Sequence, residues 1–192
     1  AWASPPPSVA RTPLFATELL GNPQEIAPLV NRTGSDSSSL DNMLEVLVLG
    51  GMELHRAVRM LIPPAWQNVG QMDRDLRAFY EYNACIMEPW DGPATVPFTD
   101  GRYLGAVLDR NGLRPSRFTI TKDGYVILSS EAGVLEVEPA NVQEKGRLEP
   151  GRMFLVDLDE RRIVPDEEIK AAVSGSRPYR AWLNEHLLRL ED

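Results

Sequence analysis

Side chains with a chemistry of their own are few in this sequence, and they are scattered. The two histidines, His55 and His186, lie far apart, and neither belongs to a spacing that would bind a metal. Each is read as an ordinary helix residue. The one cysteine, Cys85, sits in Asn83-Ala84-Cys85-Ile86-Met87, a helical pattern with no histidine close by to take the thiol proton. It is expected to pack as a small hydrophobe. Glu88, Asp91 and Asp109 could form a carboxylate set, but each stands in or beside a turn containing Gly or Pro, where backbone hydrogen bonding accounts for it equally well. Asp-Arg-Asn-Gly-Leu-Arg-Pro, residues 109–115, has a glycine but not the spacing of a phosphate-binding loop. Asp36, in Thr33-Gly34-Ser35-Asp36-Ser37, reads by residue type as an Asx-turn or cap residue of the helix that follows. Residue chemistry alone leaves the function open.

The chain of 192 residues is long enough for one sizeable core. Its 43% hydrophobic and 25% charged content is that of an ordinary soluble globular domain. A formal charge of -8 with no basic stripe argues against a nucleic-acid or anionic-membrane surface. No apolar run approaches a membrane span. One cysteine excludes an intrachain disulfide framework and any multi-Cys metal site, and fits a reducing compartment. Residues 1–13, with three consecutive prolines, read as a linker or as a cut end of a longer chain.

The elements that must position these side chains come in three groups. Helical pieces are expected over residues 14–20 and 23–29. A helix follows from Ser38, which forms a capping-box pattern with Asp41 and sets Leu40, Met43, Leu44 and Leu47 on one face. A second helix starts near Glu53, with Leu54, Ala57, Val58 and Leu61 buried, and stops at Pro63-Pro64. A third is expected from Asp73 to about Met87, burying Leu76, Phe79, Tyr80, Asn83 or Ala84, and Ile86. Three turn signals, Asp100-Gly101, Asn111-Gly112 and Asp123-Gly124, then separate runs rich in β-branched and aromatic residues. They predict one antiparallel meander of strands over 94–99, 102–108, 117–121 and 125–129. Further strands are expected over 134–137, 153–158 and 163–164. Asp166 caps a helix over 167–173, and Pro178 opens another over 179–190. Helices, then antiparallel strands, then helices make an α+β fold.

Several motifs carry a resemblance to a known family. Gly34-Ser35-Asp36-Ser37 precedes Leu40-Asp41-Asn42. Met87-Glu88-Pro89-Trp90-Asp91-Gly92-Pro93-Ala94 comes next, then Asp109-Arg110-Asn111-Gly112-Leu113-Arg114-Pro115. Ser130-Glu131 and Leu148-Glu149-Pro150-Gly151 follow in the same order. Together they resemble the glutaminase domain of the glutamate synthase large subunit, a class II amidotransferase with an N-terminal nucleophile. The likeness runs over residues 14–183, which reads as part of such a domain, with 184–192 as a C-terminal helix end. The Glu-Pro-Trp-Asp-Gly-Pro run is its most specific piece. A fragment of the phosphoribosyl-pyrophosphate type and a non-catalytic binding or scaffold remnant are the alternatives.

The resemblance implies an Ntn-type α/β/β/α sandwich with two stacked antiparallel sheets. It implies an enzyme in which an N-terminal cysteine hydrolyses glutamine, its own α-amino group serving as base. The ammonia passes to a synthase domain with FMN and an iron–sulfur cluster, where 2-oxoglutarate is reductively aminated. Asp36 would bind the substrate's α-amino group, with Gly34 and Ser35 shaping the same wall. Asp109, Asn111, Gly112 and Arg114 would fix loop geometry near the site. No catalytic residue is assigned within the chain: Ala1 is not a cysteine, and Cys85 cannot combine thiol and α-amine in one residue. The chain itself is expected to hold no metal or cofactor and to be inactive alone. Implied partners are glutamine, the rest of the synthase chain, and a reductase subunit or ferredoxin. With part of a two-sheet sandwich absent, an exposed sheet face and open strand edge would make the isolated chain oligomeric.

Overall fold

A computed structural model describes residues 21, 22, 25, 28–31 and 33–189. The helical pieces expected over 14–20 and 23–29 lie largely outside the described residues. The first helix, α1 (Asp36–Leu49), begins one turn earlier than the pattern around Ser38 suggests, because Ser35 is its cap: Ser35 Oγ accepts the N–H of Ser38 at 3.2 Å. Helices α2 (Leu54–Leu61) and α3 (Arg74–Ile86) follow. Helix α2 buries Leu54, Ala57, Val58 and Leu61, the stripe its spacing predicts. Asp73 caps α3 by accepting from the N–H groups of Asp75 and Leu76. The apolar face of α3 ends at Asn83, so Ala84 and Ile86 are exposed rather than buried.

Among the described residues, seven strands form two antiparallel sheets. One has the order β1 (Thr95–Thr99), β2 (Tyr103–Leu108), β6 (Met153–Asp157), β7 (Arg162–Val164). The other has the order β4 (Val126–Ser129), β3 (Arg117–Thr121), β5 (Val142–Arg147). The expected single meander is therefore split. Its first and last turns are hairpins, but Asn111-Gly112 lies in a crossover that carries the chain from one sheet to the other. The reason is local: the Asp109 carboxylate gathers the backbone N–H groups of that turn, so the turn folds on itself and β3 does not return along β2. Residues 134–137 form no strand; Val134 and Leu135 stand exposed in a loop. Strand β5, Val-Gln-Glu-Lys-Gly-Arg, has little β character of its own and owes its conformation to pairing with β3.

Alternate residues of the four-stranded sheet divide it cleanly. Phe98, Val107, Met153, Leu155 and Val164 face the helices and join one large core with Met43, Leu61, Phe79 and Tyr179. On the other face, Ala106, Leu108 and Phe154 meet Phe118, Leu128 and Leu148 of the second sheet. The C-terminal helices α4 (Asp166–Gly175) and α5 (Tyr179–His186) return to the helical layer and pack on α3. Asp166 is the first residue of α4, after Pro165, rather than its cap. The described residues thus form a mixed α+β fold of helices on stacked antiparallel sheets.

Each sheet contains one phenylalanine lying directly across a glycine. Phe98 pairs with Gly105, and Phe118 with Gly146. A Cβ on either glycine would stand 2.3 Å from the facing ring, so each ring occupies the space that the glycine leaves.

Candidate functional site

Three of the motifs fold into one knot. Asp109 ends β2 almost fully buried, and its carboxylate is consumed by backbone donors. Oδ1 accepts from Ala94 and Leu113, each at 3.1 Å, and Oδ2 accepts from Asn111 at 3.0 Å. The N–H of Asp109 also donates to the carbonyl of Ala94 at 3.0 Å. Beside it, Arg110 pairs with Asp91, its Nε donating at 3.0 Å. The Glu88–Ala94 run and the 109–115 turn are thereby tied together. Gly112 has φ +62°, and a Cβ there would press on Pro150 at 3.1 Å, which brings the third motif in. Only glycine combines that backbone with that closeness at little cost. Asn111 and Arg114 point outward and are exposed.

The loop before α1 is organised separately. Gly34 lies close on the helix: a Cβ would stand 2.3 Å from Ser38 Oγ and 3.1 Å from Asn31 Nδ2. Ser35 caps the helix, and Asp36 is its first residue, half-buried, accepting the N–H of Ser37 on Oδ1 at 2.9 Å. Among the described residues, Oδ2 of Asp36 has no partner and no cation pairs with it. It sits where the helix N–H groups point outward, a position that favours a carboxylate. The other aspartates that are largely buried differ. Asp109 is saturated by backbone, Asp157 by Arg102 and two N–H groups, and Asp166 by Arg59, Lys170 and the N–H of Met153. Among the described aspartates, Asp36 alone combines partial burial with an oxygen that no described residue meets. Among the described residues, no hydrogen bond or ion pair joins the Gly34–Asp36 loop to the knot.

A family model for class-II glutamine amidotransferases matches residues 7–182. The chain belongs to that family. It is 50% identical over 182 residues to the glutamate synthase [NADPH] large chain of Bacillus subtilis, covering 94% of this chain and 12% of that protein. It is 50% identical over 164 residues to the glutamate synthase [NADH] of Schizosaccharomyces pombe and 48% identical over 157 residues to the ferredoxin-dependent glutamate synthase of Pyropia yezoensis. These stretches cover 85% and 81% of this chain and 8% and 10% of those relatives. The chain thus spans about a tenth of the length of the relatives it matches.

One reading of a single residue in this amidotransferase chain needs revision. Cys85 is exposed, not packed, because α3 buries Leu76, Phe79, Tyr80 and Asn83, and Cys85 falls on the opposite side. His55 is a helix residue, half-buried on α2. Its ring meets Tyr103 edge-on with centroids 5.7 Å apart, and burial, against the pull of Glu53, holds its pKa below the ordinary value. His186 is exposed at the end of α5. Among the described residues, no group of three or more His, Cys, Asp or Glu could hold a metal ion.

The strongest polar contact in the amidotransferase core is invisible in the motifs. Arg59, in the apolar stripe of α2, is 3% exposed, and its Nη2 meets Asp166 Oδ1 at 2.5 Å. Its Nη1 donates to Tyr80 Oη at 3.1 Å and to the carbonyl of Gly151 at 3.3 Å. Lys170 approaches Asp166 from the next turn of α4 at 2.5 Å. Burial raises the Asp166 pKa, but Arg59, Lys170 and the Met153 N–H outweigh it and hold the carboxyl below its usual range. The Gly151 carbonyl links this pair to the knot through Pro150. The only trace in the sequence is an arginine inside an otherwise apolar helix face.

Proposed function

We propose that this chain is part of the glutaminase domain of a glutamate synthase large chain, and that its share of the site is to hold glutamine by its α-amino group through Asp36. The observation that carries the reading is the half-buried carboxylate at the start of α1, one oxygen of which has no partner among the described residues. An amino-acid ammonium would complete it with a charge-assisted hydrogen bond. Gly34 lets the loop lie close on the helix, and Ser35 fixes where the helix begins, so the two shape the wall on which Asp36 is presented. Asp109, Gly112 and the backbone N–H of Asn111 hold the geometry of the crossover, Arg114 stands exposed beside them, and none of the four takes part in bond making.

In this reading a thiolate attacks the side-chain amide carbon of glutamine and ammonia leaves, after which water releases glutamate from the thioester. Cys85 does not supply the thiol: it stands exposed at the end of α3, on a residue that carries no free α-amine. The nucleophile belongs to another part of the parent protein. FMN and the iron–sulfur cluster belong elsewhere as well, since such clusters are held by several cysteines and these residues include one. The cluster and FMN serve the reductive amination of 2-oxoglutarate, with electrons from a reductase subunit or ferredoxin. The parent enzyme works in the cytoplasm or in a plastid; among the described residues no helix is long and apolar enough to cross a membrane.

The test is Asp36→Asn in the full-length enzyme, following glutamate and ammonia release from glutamine. Losing a charge-assisted contact of about 1.5–3 kcal/mol should raise KM for glutamine roughly 10- to 150-fold. Synthesis from externally supplied ammonia should be unchanged. A KM within twofold of the parent enzyme's would refute the assignment and leave the scaffold reading in its place.

A further inference from the structure

Helix α1 needs one side chain at its start, and Ser35 already provides it. Yet the loop before α1 is tied to the helix by a second set of bonds that serves none of the helix's own unpaired N–H groups. Asn42, in the second turn, accepts the backbone N–H of Asn31 on Oδ1 at 3.0 Å, across a separation of 11 residues. Asn31 Oδ1 in turn accepts from both the N–H and the hydroxyl of Thr33, each at 3.0 Å. The carbonyl of Asn31 accepts from Ser39 Oγ at 3.4 Å, and the same hydroxyl reaches the carbonyl of Ser35 at 3.2 Å. Gly34 then has no room for a Cβ between Ser38 and Asn31. The path from Asn31 to Asp36 is closed back on the helix at both ends.

We propose that Asn42, acting through Asn31, is a positioning residue for glutamine: it fixes the loop that sets the direction from which Asp36 is approached. This rests on the reading of Asp36 as the ammonium-binding residue. Without the Asn42 bond, the cap and Asp36 remain, but Asn31 and residues 33–35 are released from α1 and the wall beside the carboxylate loosens. A site held by a rigid element binds better than one whose walls must be ordered when the ligand arrives. The effect therefore falls on binding rather than on the chemical step.

The experiment compares Asn42→Ala, Asn42→Asp and Asp36→Asn in the full-length enzyme, measuring KM and kcat for glutamine hydrolysis. Loss of one neutral hydrogen bond in Asn42→Ala should raise KM about five- to tenfold with kcat within about twofold. Asn42→Asp keeps an acceptor oxygen for the Asn31 N–H and should return KM to within about twofold of the parent value. An unchanged KM in Asn42→Ala, a loss confined to kcat, or equal KM values in the Ala and Asp variants overturns the proposal. If Asp36→Asn raises KM while Asn42→Ala does not, the positioning role fails and the Asp36 reading stands. If Asp36→Asn leaves KM unchanged, both fail. Should Asn42→Ala not yield soluble enzyme, Asn42→Leu keeps the bulk of the side chain but has no acceptor for the Asn31 N–H. It should raise KM in the same way, and an unchanged value there is equally decisive against the proposal.

Discussion

The two faces of the four-stranded sheet are built to different standards. Towards the helices, Phe98, Val107, Met153 and Leu155 enter a continuous core with residues from the five described helices or their ends, and the buried Arg59–Asp166 pair is also met by Tyr80, the Gly151 carbonyl and Lys170. Towards the second sheet, the fully buried cluster shrinks to Ala106, Leu108 and Leu148, with Phe118, Leu128 and Phe154 only half-buried beside it. Strand β5 contributes mainly polar side chains to that second sheet. Stability is concentrated in the helical layer and in the sheet it covers. The three-stranded sheet is held by pairing and by a thin seam, so it depends more on whatever packs around it.

The sharpest way to probe this contrast is at Arg59. Arg59→Ala leaves Asp166 buried without its main partner and should destabilise the chain by about 3–5 kcal/mol, read from urea midpoints. The pH dependence has a fixed sign. The folded pKa of Asp166 is depressed, so its contribution is complete above the unfolded value near 4 and fades as pH falls through the folded one. The gap between parent and variant should therefore narrow below about pH 4; a gap that widens on acidification would contradict the account.

A smaller contrast uses the two matched glycines. Gly105→Ala drives a Cβ into Phe98, which is 7% exposed and locked in the large core, at a cost of about 1–3 kcal/mol. Gly146→Ala meets Phe118 at the same 2.3 Å, but that ring is half-buried against a thin seam and can swing aside, so the cost should stay below about 1 kcal/mol. Equal losses would mean that the two sides are equally rigid.

The least effect is expected on association. Strand β1 is an open edge, and Leu104, on the face turned from the helices, is 48% exposed. We expect the isolated chain to self-associate, with Leu104→Lys shifting light-scattering mass towards the monomer. A sharp monomer peak from the parent chain at high concentration would oppose this.

How much was readable beforehand follows from where the forces lie. Helices α2 and α3 were legible because Asp73, the Pro63-Pro64 stop and the spacing of Leu54, Ala57, Val58 and Leu61 are local signals. The hairpins at Asp100-Gly101 and Asp123-Gly124 were legible for the same reason. Strand β5 was not, because a Gln-Glu-Lys-Gly run becomes a strand only when β3 supplies its partner. The same holds for the Asn111-Gly112 turn, whose hairpin signal yields to the bonds that Asp109 makes with Ala94 fifteen residues before it. At the candidate site, Asp36 and its loop stood out through the family motif, whereas the Asn42–Asn31 bond spans a distance that no short pattern encodes. Arg59 and Asp166 meet across 107 residues, and the arginine inside an apolar helix face is the one local trace of their pairing.

That last separation, 107 residues, also bears on the order in which the molecule assembles. Bringing ends so far apart together carries an entropic cost that local turns and hairpins avoid, so the helices α1–α3 and the hairpins can form before α4 is drawn in. We expect the ion pair to close late. Interactions absent at the folding barrier slow unfolding more than they speed folding. A pair closed that late would bear on how long the finished chain stays shut rather than on how quickly it gets there.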